Sequence, residues 1–146
     1  MKTRVTLRNE IAEVQWLKKR LTEYGQSLQL ADELIQDVNL ALEEAVSNII
    51  FYGYEDAQAH QIEVAIEVAD DTLVLEITDD GKAFNLLDTP EPDLNVPFEE
   101  REIGGMGIYL IRTLMDDITY RTKQGKNILV MRKQIARSPS GNKNVP

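Results

Sequence analysis

The chain has no cysteine, which excludes disulfides, thiol redox chemistry and cysteine-based zinc sites. It has one histidine, His60, so neither a multi-histidine metal centre nor a histidine phosphorelay can be built within it. No apolar run approaches the ~20 residues that a bilayer-spanning helix needs, and no signal peptide opens the sequence. The expectation is a soluble cytoplasmic protein. Bases are also in short supply: 16 Lys and Arg against 25 Asp and Glu leave a net charge of −9. A nucleic-acid binder needs a basic face for the phosphates, so that class is set aside.

What remains is 146 residues, 42% of them hydrophobic, enough for one domain with its own core. The charge is uneven. Residues 1–69 hold 6 bases and 12 acids, residues 70–102 hold 2 and 11, and residues 103–146 hold 8 and 2. Such an acidic middle and basic end describe either solvated surfaces of opposite sign or a segment that meets a charged protein partner.

Residues 2–8 alternate apolar and polar side chains and predict a short half-buried strand. Asn9 is placed to cap a helix carrying Ile11, Val14, Leu17 and Leu21 on one stripe, and Gly25 with the polar Gln26-Ser27 after it marks its stop. From about Ala31 to Tyr52, Leu34, Ile35, Val38, Leu42, Ala45, Val46 and Ile49 recur at three and four, and Gly53 ends this longer helix. The period then drops to two. Residues 61–68 and 72–78 predict an antiparallel hairpin turned at Asp70-Asp71. Residues 82–103, with Pro90, Pro92 and Pro97, show no period and predict a long loop of the kind that is usually functional. A third helix opens at residues 104–107 and runs from Ile108 to about Met115. A last hairpin joins 118–122 to 128–133 through residues 124–127. Residues 1–134 then form the domain and 135–146 a disordered tail. The fold class is α+β: a two-layer sandwich whose mostly antiparallel mixed sheet is covered on one face by three helices.

Three places could carry chemistry. Glu44 and Asn48 lie one turn apart at the border of the long helix's apolar stripe. An asparagine carbonyl there can ligate Mg²⁺, which takes few protein oxygens, and the carboxylate can accept a proton from an attacking hydroxyl. Taken alone, Glu-x-x-x-Asn also describes a solvated helix face. Asp79 continues the alternation of Leu75 and Ile77, so its carboxylate points inward and needs a donor such as the exocyclic amine of adenine. Gly81 and Ala83 leave room for a flat base and Phe84 can wall it, although Asp-Asp-Gly alone is ordinary turn chemistry. Gly104, Gly105, Met106 and Gly107 feed a helix and offer bare N–H groups to phosphate. The dinucleotide fingerprint fails there because Leu110 stands at its third glycine, and no Gly-Lys-Ser/Thr of a P-loop exists.

In this order the three motifs resemble the Bergerat-type, histidine-kinase-like ATPase superfamily. Leu42-Glu43-Glu44-Ala45-Val46-Ser47-Asn48-Ile49, and Gly104-Gly105-Met106-Gly107-Ile108 through Leu114-Met115-Asp116, look most like its anti-sigma factor serine kinases of the RsbW and SpoIIAB type. The resemblance covers roughly residues 5–133. It implies an ATP-dependent serine/threonine kinase that sequesters a sigma factor and phosphorylates an anti-sigma-factor antagonist on serine. Glu44 would be the general base, Asn48 the Mg²⁺ ligand on ATP, and Asp79 the adenine ligand with Gly81 and Ala83 beside it. Residues 104–107 would hold the phosphates and 85–103 would form a lid. Lys82 and Arg101, the only bases in the acidic stretch, are candidates to neutralise phosphate by location alone. Homodimerisation through the early strand and first helix is implied only by the family. The sequence departs from the pattern at Ala83, often a second glycine, and at Tyr52, often a histidine. The competing reading is a nucleotide-dependent partner-binding module that transfers no phosphate.

Overall fold

A computed structural model describes residues 2–83 and 105–135. In chain order the elements are β1 (Lys2–Arg8), a single 3-10 turn (Ile11–Glu13), α1 (Val14–Ser27), α2 (Asp32–Tyr52), β2 (Gln61–Ala69), β3 (Thr72–Asp79), α3 (Gly105–Leu114), β4 (Asp117–Lys123) and β5 (Lys126–Gln134). The strands form one sheet in the order β1-β2-β3-β5-β4, with every pairing antiparallel. Two tight connections set the registers. Asp70-Asp71 and Gln124-Gly125 all have positive φ, the two-residue geometry whose twist matches paired strands.

Alternation then decides which side chains are covered. Leu7, Ile62, Val64, Ile66, Leu73, Leu75, Ile77, Leu129 and Met131 point to one face. There they meet Leu17 and Leu21 of α1, Val38, Leu42, Ala45 and Val46 of α2, and Ile108 and Ile111 of α3. Helices cover this face, as the α+β reading expects, but among the described residues the sheet is antiparallel throughout rather than mixed. Ile135 is buried in the same core, and its N–H donates to Asp71 O at 2.8 Å. The remainder of the expected tail, from residue 136, lies outside the described residues, as do Phe84, the lid at 85–103, Arg101 and Gly104.

Two local expectations need correcting. Asn9 caps no helix: its Oδ1 accepts the His60 N–H at 2.9 Å, and the chain passes through the 3-10 turn before α1. Ile11 is correspondingly exposed rather than part of the α1 stripe. α1 ends at Ser27, within the Gly25-Gln26-Ser27 stop that the sequence suggests. A Cβ on Gly25 would stand 2.8 Å from Cγ1 and Cδ1 of Ile35, so the glycine lets α1 and α2 approach. Gly25→Val is therefore expected to destabilise the fold by about 1–3 kcal/mol through overpacking, read as a lower Tm in a thermal melt. Finally, the last turn is two residues long rather than four, which moves Lys126 and Asn127 into β5.

Candidate functional site

The inward alternation of β3 ends on a carboxylate. Asp79 is only 7% exposed and is the last residue of the strand. Its Oδ1 accepts the Gly81 N–H at 2.8 Å and the Asn127 side-chain amide at 2.9 Å. Among the described residues no donor reaches Oδ2. Burial raises the Asp79 pKa and neighbouring Asp80 adds to the rise, while the Asn127 and Gly81 bonds oppose it. A buried carboxylate with one oxygen spent on holding itself in place has the other free for a ligand's N–H.

Asn127 is the residue that sequence reasoning missed. It sits opposite Asp79 in the β3–β5 register and is itself buried. Besides Asp79, its Nδ2 donates to Gly81 O at 3.0 Å and Lys82 O at 3.2 Å, and its Oδ1 accepts the Tyr120 hydroxyl at 2.8 Å. One amide thus ties the strand end to the loop behind it. The same loop is fastened to the end of α2, where Lys82 N–H donates to Gly53 O at 2.8 Å. A Cβ on Gly81 would come within 2.6 Å of that Gly53 carbonyl, so only glycine permits the approach. Ala83 and Lys82 are exposed, and Lys82 pairs with Glu55 at 3.4 Å.

Asn127→Ala is expected to cost about 1–3 kcal/mol, because a buried acceptor loses its donor. It should also raise the Asp79 pKa further, since the bond it removes is the strongest influence lowering it. A ligand that needs ionised Asp79 is held above that pKa and lost as pH falls through it. The variant should therefore lose its ligand at a higher pH than the parent protein, as measured by affinity titrations across acidic pH.

The α2 side of the site carries Glu44 and Asn48. Asn48 Nδ2 is buried without a hydrogen-bond partner among the described residues. Turning the amide over exchanges Nδ2 and Oδ1, so this side chain holds one unspent polar atom of either kind. A Cβ built on Gly107 would stand 3.2 Å from Asn48 Nδ2 and 3.7 Å from Glu44 Oε2. The first turn of α3, which begins at Gly105 and includes Met106, thus abuts both side chains. Helix first turns carry N–H groups without intrahelical partners, which attract anions. Glu44 is half-buried. Desolvation pushes its pKa up, and Glu43 beside it adds to the push. Glu43 is itself engaged with Lys18 at 2.8 Å. Tyr52 is partly exposed with its ring edge-on to Phe51, centroids 6.4 Å apart.

Asn48 and Asp79 share one pocket. Asn48, Ile49, Gly53, Asp79, Lys82, Tyr120, Asn127 and Leu129 line a pocket between the end of α2 and the paired ends of β3 and β5. The pocket offers a carboxylate oxygen of Asp79 and an amide atom of Asn48 without partners among the described residues, and Glu44 and the first turn of α3 stand beside that amide. No group of three or more His, Asp or Glu side chains suited to a metal occurs among the described residues.

Comparison with known proteins bears on this arrangement. The family model described as a histidine kinase-like ATPase domain matches residues 7–133. Among curated proteins, a serine-protein kinase RsbW of Listeria innocua is 32% identical over 109 residues, covering 70% of this chain and 68% of that protein. An anti-sigma F factor of Clostridium botulinum is 32% identical over 100 residues, covering 68% of this chain and 70% of that protein. Among solved structures, the RsbU and RsbW domains of a Mycobacterium tuberculosis protein superpose with a TM-score of 0.70 at 17% identity. That match covers 94% of this chain and 33% of the other. It speaks to the fold alone.

Proposed function

The chain belongs to the histidine kinase-like ATPase domain family, and we propose that within it this protein is an ATP-dependent serine/threonine-protein kinase that also acts as an anti-sigma factor. The observation that carries the reading is the unspent Asn48 amide set against Gly107, one turn from Glu44, in the cavity that also holds Asp79.

Asp79 offers its free oxygen to the exocyclic amine of adenine, with Gly81 and Ala83 beside the base. Residues 104–107 receive the phosphates. Asn48 is the protein's ligand for Mg²⁺, an ion that takes only one or two protein oxygens and completes its shell with water and phosphate. An amide without a hydrogen-bond partner, and with no acid cluster around it among the described residues, fits that donor set. When bound, the ion neutralises charge on the phosphates. Glu44 accepts the proton of a serine hydroxyl on the substrate protein as that oxygen attacks the γ-phosphorus. ADP is the leaving group. Desolvation raises the Glu44 pKa, which makes its carboxylate a stronger base.

The partner implied by the relatives' names is a sigma factor, and the serine substrate is proposed to be its antagonist. No described helix is long and apolar enough to cross a membrane, which agrees with a cytoplasmic location. A homodimer built on β1 and α1 belongs to the same proposal: β1 is an edge strand of the sheet, and Ile11 and Trp16 are exposed beside it. The test is incubation with γ-labelled ATP, Mg²⁺ and a candidate antagonist. Label is expected on an antagonist serine. Nucleotide binding without any transfer would instead leave the partner-binding module.

A further inference from the structure

His60, the chain's single histidine, has no part in the chemistry just proposed. Both its ring nitrogens face carboxylates. Nε2 lies 2.8 Å from Asp56 Oδ1, and Nδ1 lies 3.3 Å and 3.4 Å from the two oxygens of Asp80. A neutral imidazole has one N–H and can donate to only one of them, whereas the imidazolium donates to both. The ring also stacks on Tyr54, with centroids 4.2 Å apart and planes 20° from parallel. The Tyr54 hydroxyl in turn donates to Asp80 Oδ1 at 3.3 Å. From the end of β1, Asn9 holds the His60 backbone N–H. The other charged groups lining this pocket, Glu55 and Lys82, pair with each other.

The ring therefore bridges the segment after α2 to the turn after β3. That turn is the end of the cavity that holds Asp79. Asp80 stands between Asp79 and Gly81, whose N–H fixes the Asp79 carboxylate. We propose that His60 is a positioning residue whose ring proton clasps the Asp79–Gly81 turn in its ligand-binding geometry, so that His60 protonation and nucleotide binding favour each other. The proposal rests on the adenine reading of Asp79 given above.

The two carboxylates also raise the His60 pKa above its ordinary value, Asp56 more than Asp80. A histidine with a raised pKa keeps its clasp below that value and loses it as pH rises through it. Nucleotide affinity should then weaken with rising pH, and by reciprocity nucleotide should raise the His60 pKa. The cluster is partly exposed, with Asp56 and Asp80 side chains 50% and 46% accessible, so solvent screening limits the effect. A change of about 5-fold, the low end of typical site-to-site coupling, is expected.

Calorimetric titration of the whole chain with ADP and Mg²⁺ near pH 6 and near pH 9 tests it. ADP's own ionisation is common to every variant, so wild type minus His60→Gln isolates the ring. Wild type should weaken by about 5-fold more than His60→Gln between the two pH values. Asp56→Asn keeps the imidazole but removes its nearer carboxylate, so the weakening should move to lower pH. The ring C–H resonance of a lone histidine reports its pKa without assignment, and that pKa should rise when ADP is added. A His60 pKa indifferent to ADP, or equal pH dependence in wild type and His60→Gln, would overturn the clasp and leave the adenine reading intact. No ADP binding by any of the three proteins at either pH would overturn both.

Discussion

Replacing Glu44 with glutamine is expected to slow phosphoryl transfer to the substrate serine by about 10²–10⁴-fold, the usual contribution of a general base, while nucleotide affinity barely changes. Glutamine keeps the shape of the side chain and its contact with the first turn of α3, but it cannot take a proton. Glu44 is half-buried, and its pKa is raised by desolvation with help from Glu43, so the substitution also removes a partly desolvated charge. Loss of stability should therefore not explain a loss of transfer. Two assays separate the effects: label transfer to the antagonist, and calorimetric ATP affinity of the same preparation. Full transfer by Glu44→Gln would take the base away from this residue, whatever its position beside Asn48 and Gly107.

The second large effect is at Asp79. Asp79→Asn should weaken adenine nucleotide binding by about 100-fold or more, because a buried donor would then face the donor amine of the base. The same variant should be at least as heat-stable as wild type. Oδ1 of the new asparagine can still accept from Gly81 N–H and from Asn127, so the local bonds survive. Burial raises the Asp79 pKa in the folded state. An acid whose folded pKa is raised destabilises the fold at neutral pH, and that cost is relieved as pH falls through the raised value. A neutral asparagine never incurs it. A thermal melt that rises or holds, beside lost binding, would mark Asp79 as kept for its ligand. Lost binding accompanied by a lower Tm would mean that the carboxylate serves the fold.

Much of this site could be read from the residues because its members obey simple periods. Glu44 and Asn48 follow from helical spacing, and Asp79 from strand alternation beyond Leu75 and Ile77. Asn127 obeys the same rule as Asp79, two residues before Leu129 on the inward face of β5. It was hidden because residues 124–127 read equally well as a four-residue turn. The positive φ of Gln124 and Gly125 closes that turn in two residues, and composition alone does not distinguish the two lengths. Gly25 shows a related limit. It stands in the last turn of α1, as the stop signal suggests, but its missing Cβ also permits a close approach to Ile35. Sequence cannot say which partner a missing Cβ would meet. The His60 bridge was out of reach for the same reason: Asp56 and Asp80 come from segments that only the folded sheet brings together.

The central claim is that one cavity binds ATP by presenting an acceptor to the adenine amine at one end and bare helix N–H groups at the other. The most direct test is calorimetric titration of the wild-type chain with ATP, and separately with GTP, in the presence of Mg²⁺. Guanine presents a carbonyl where adenine presents its amine, so Asp79 should reject it. Saturable ATP binding with GTP weaker by about 100-fold or more is expected. A flat trace with ATP, or equal affinity for the two nucleotides, would contradict the account.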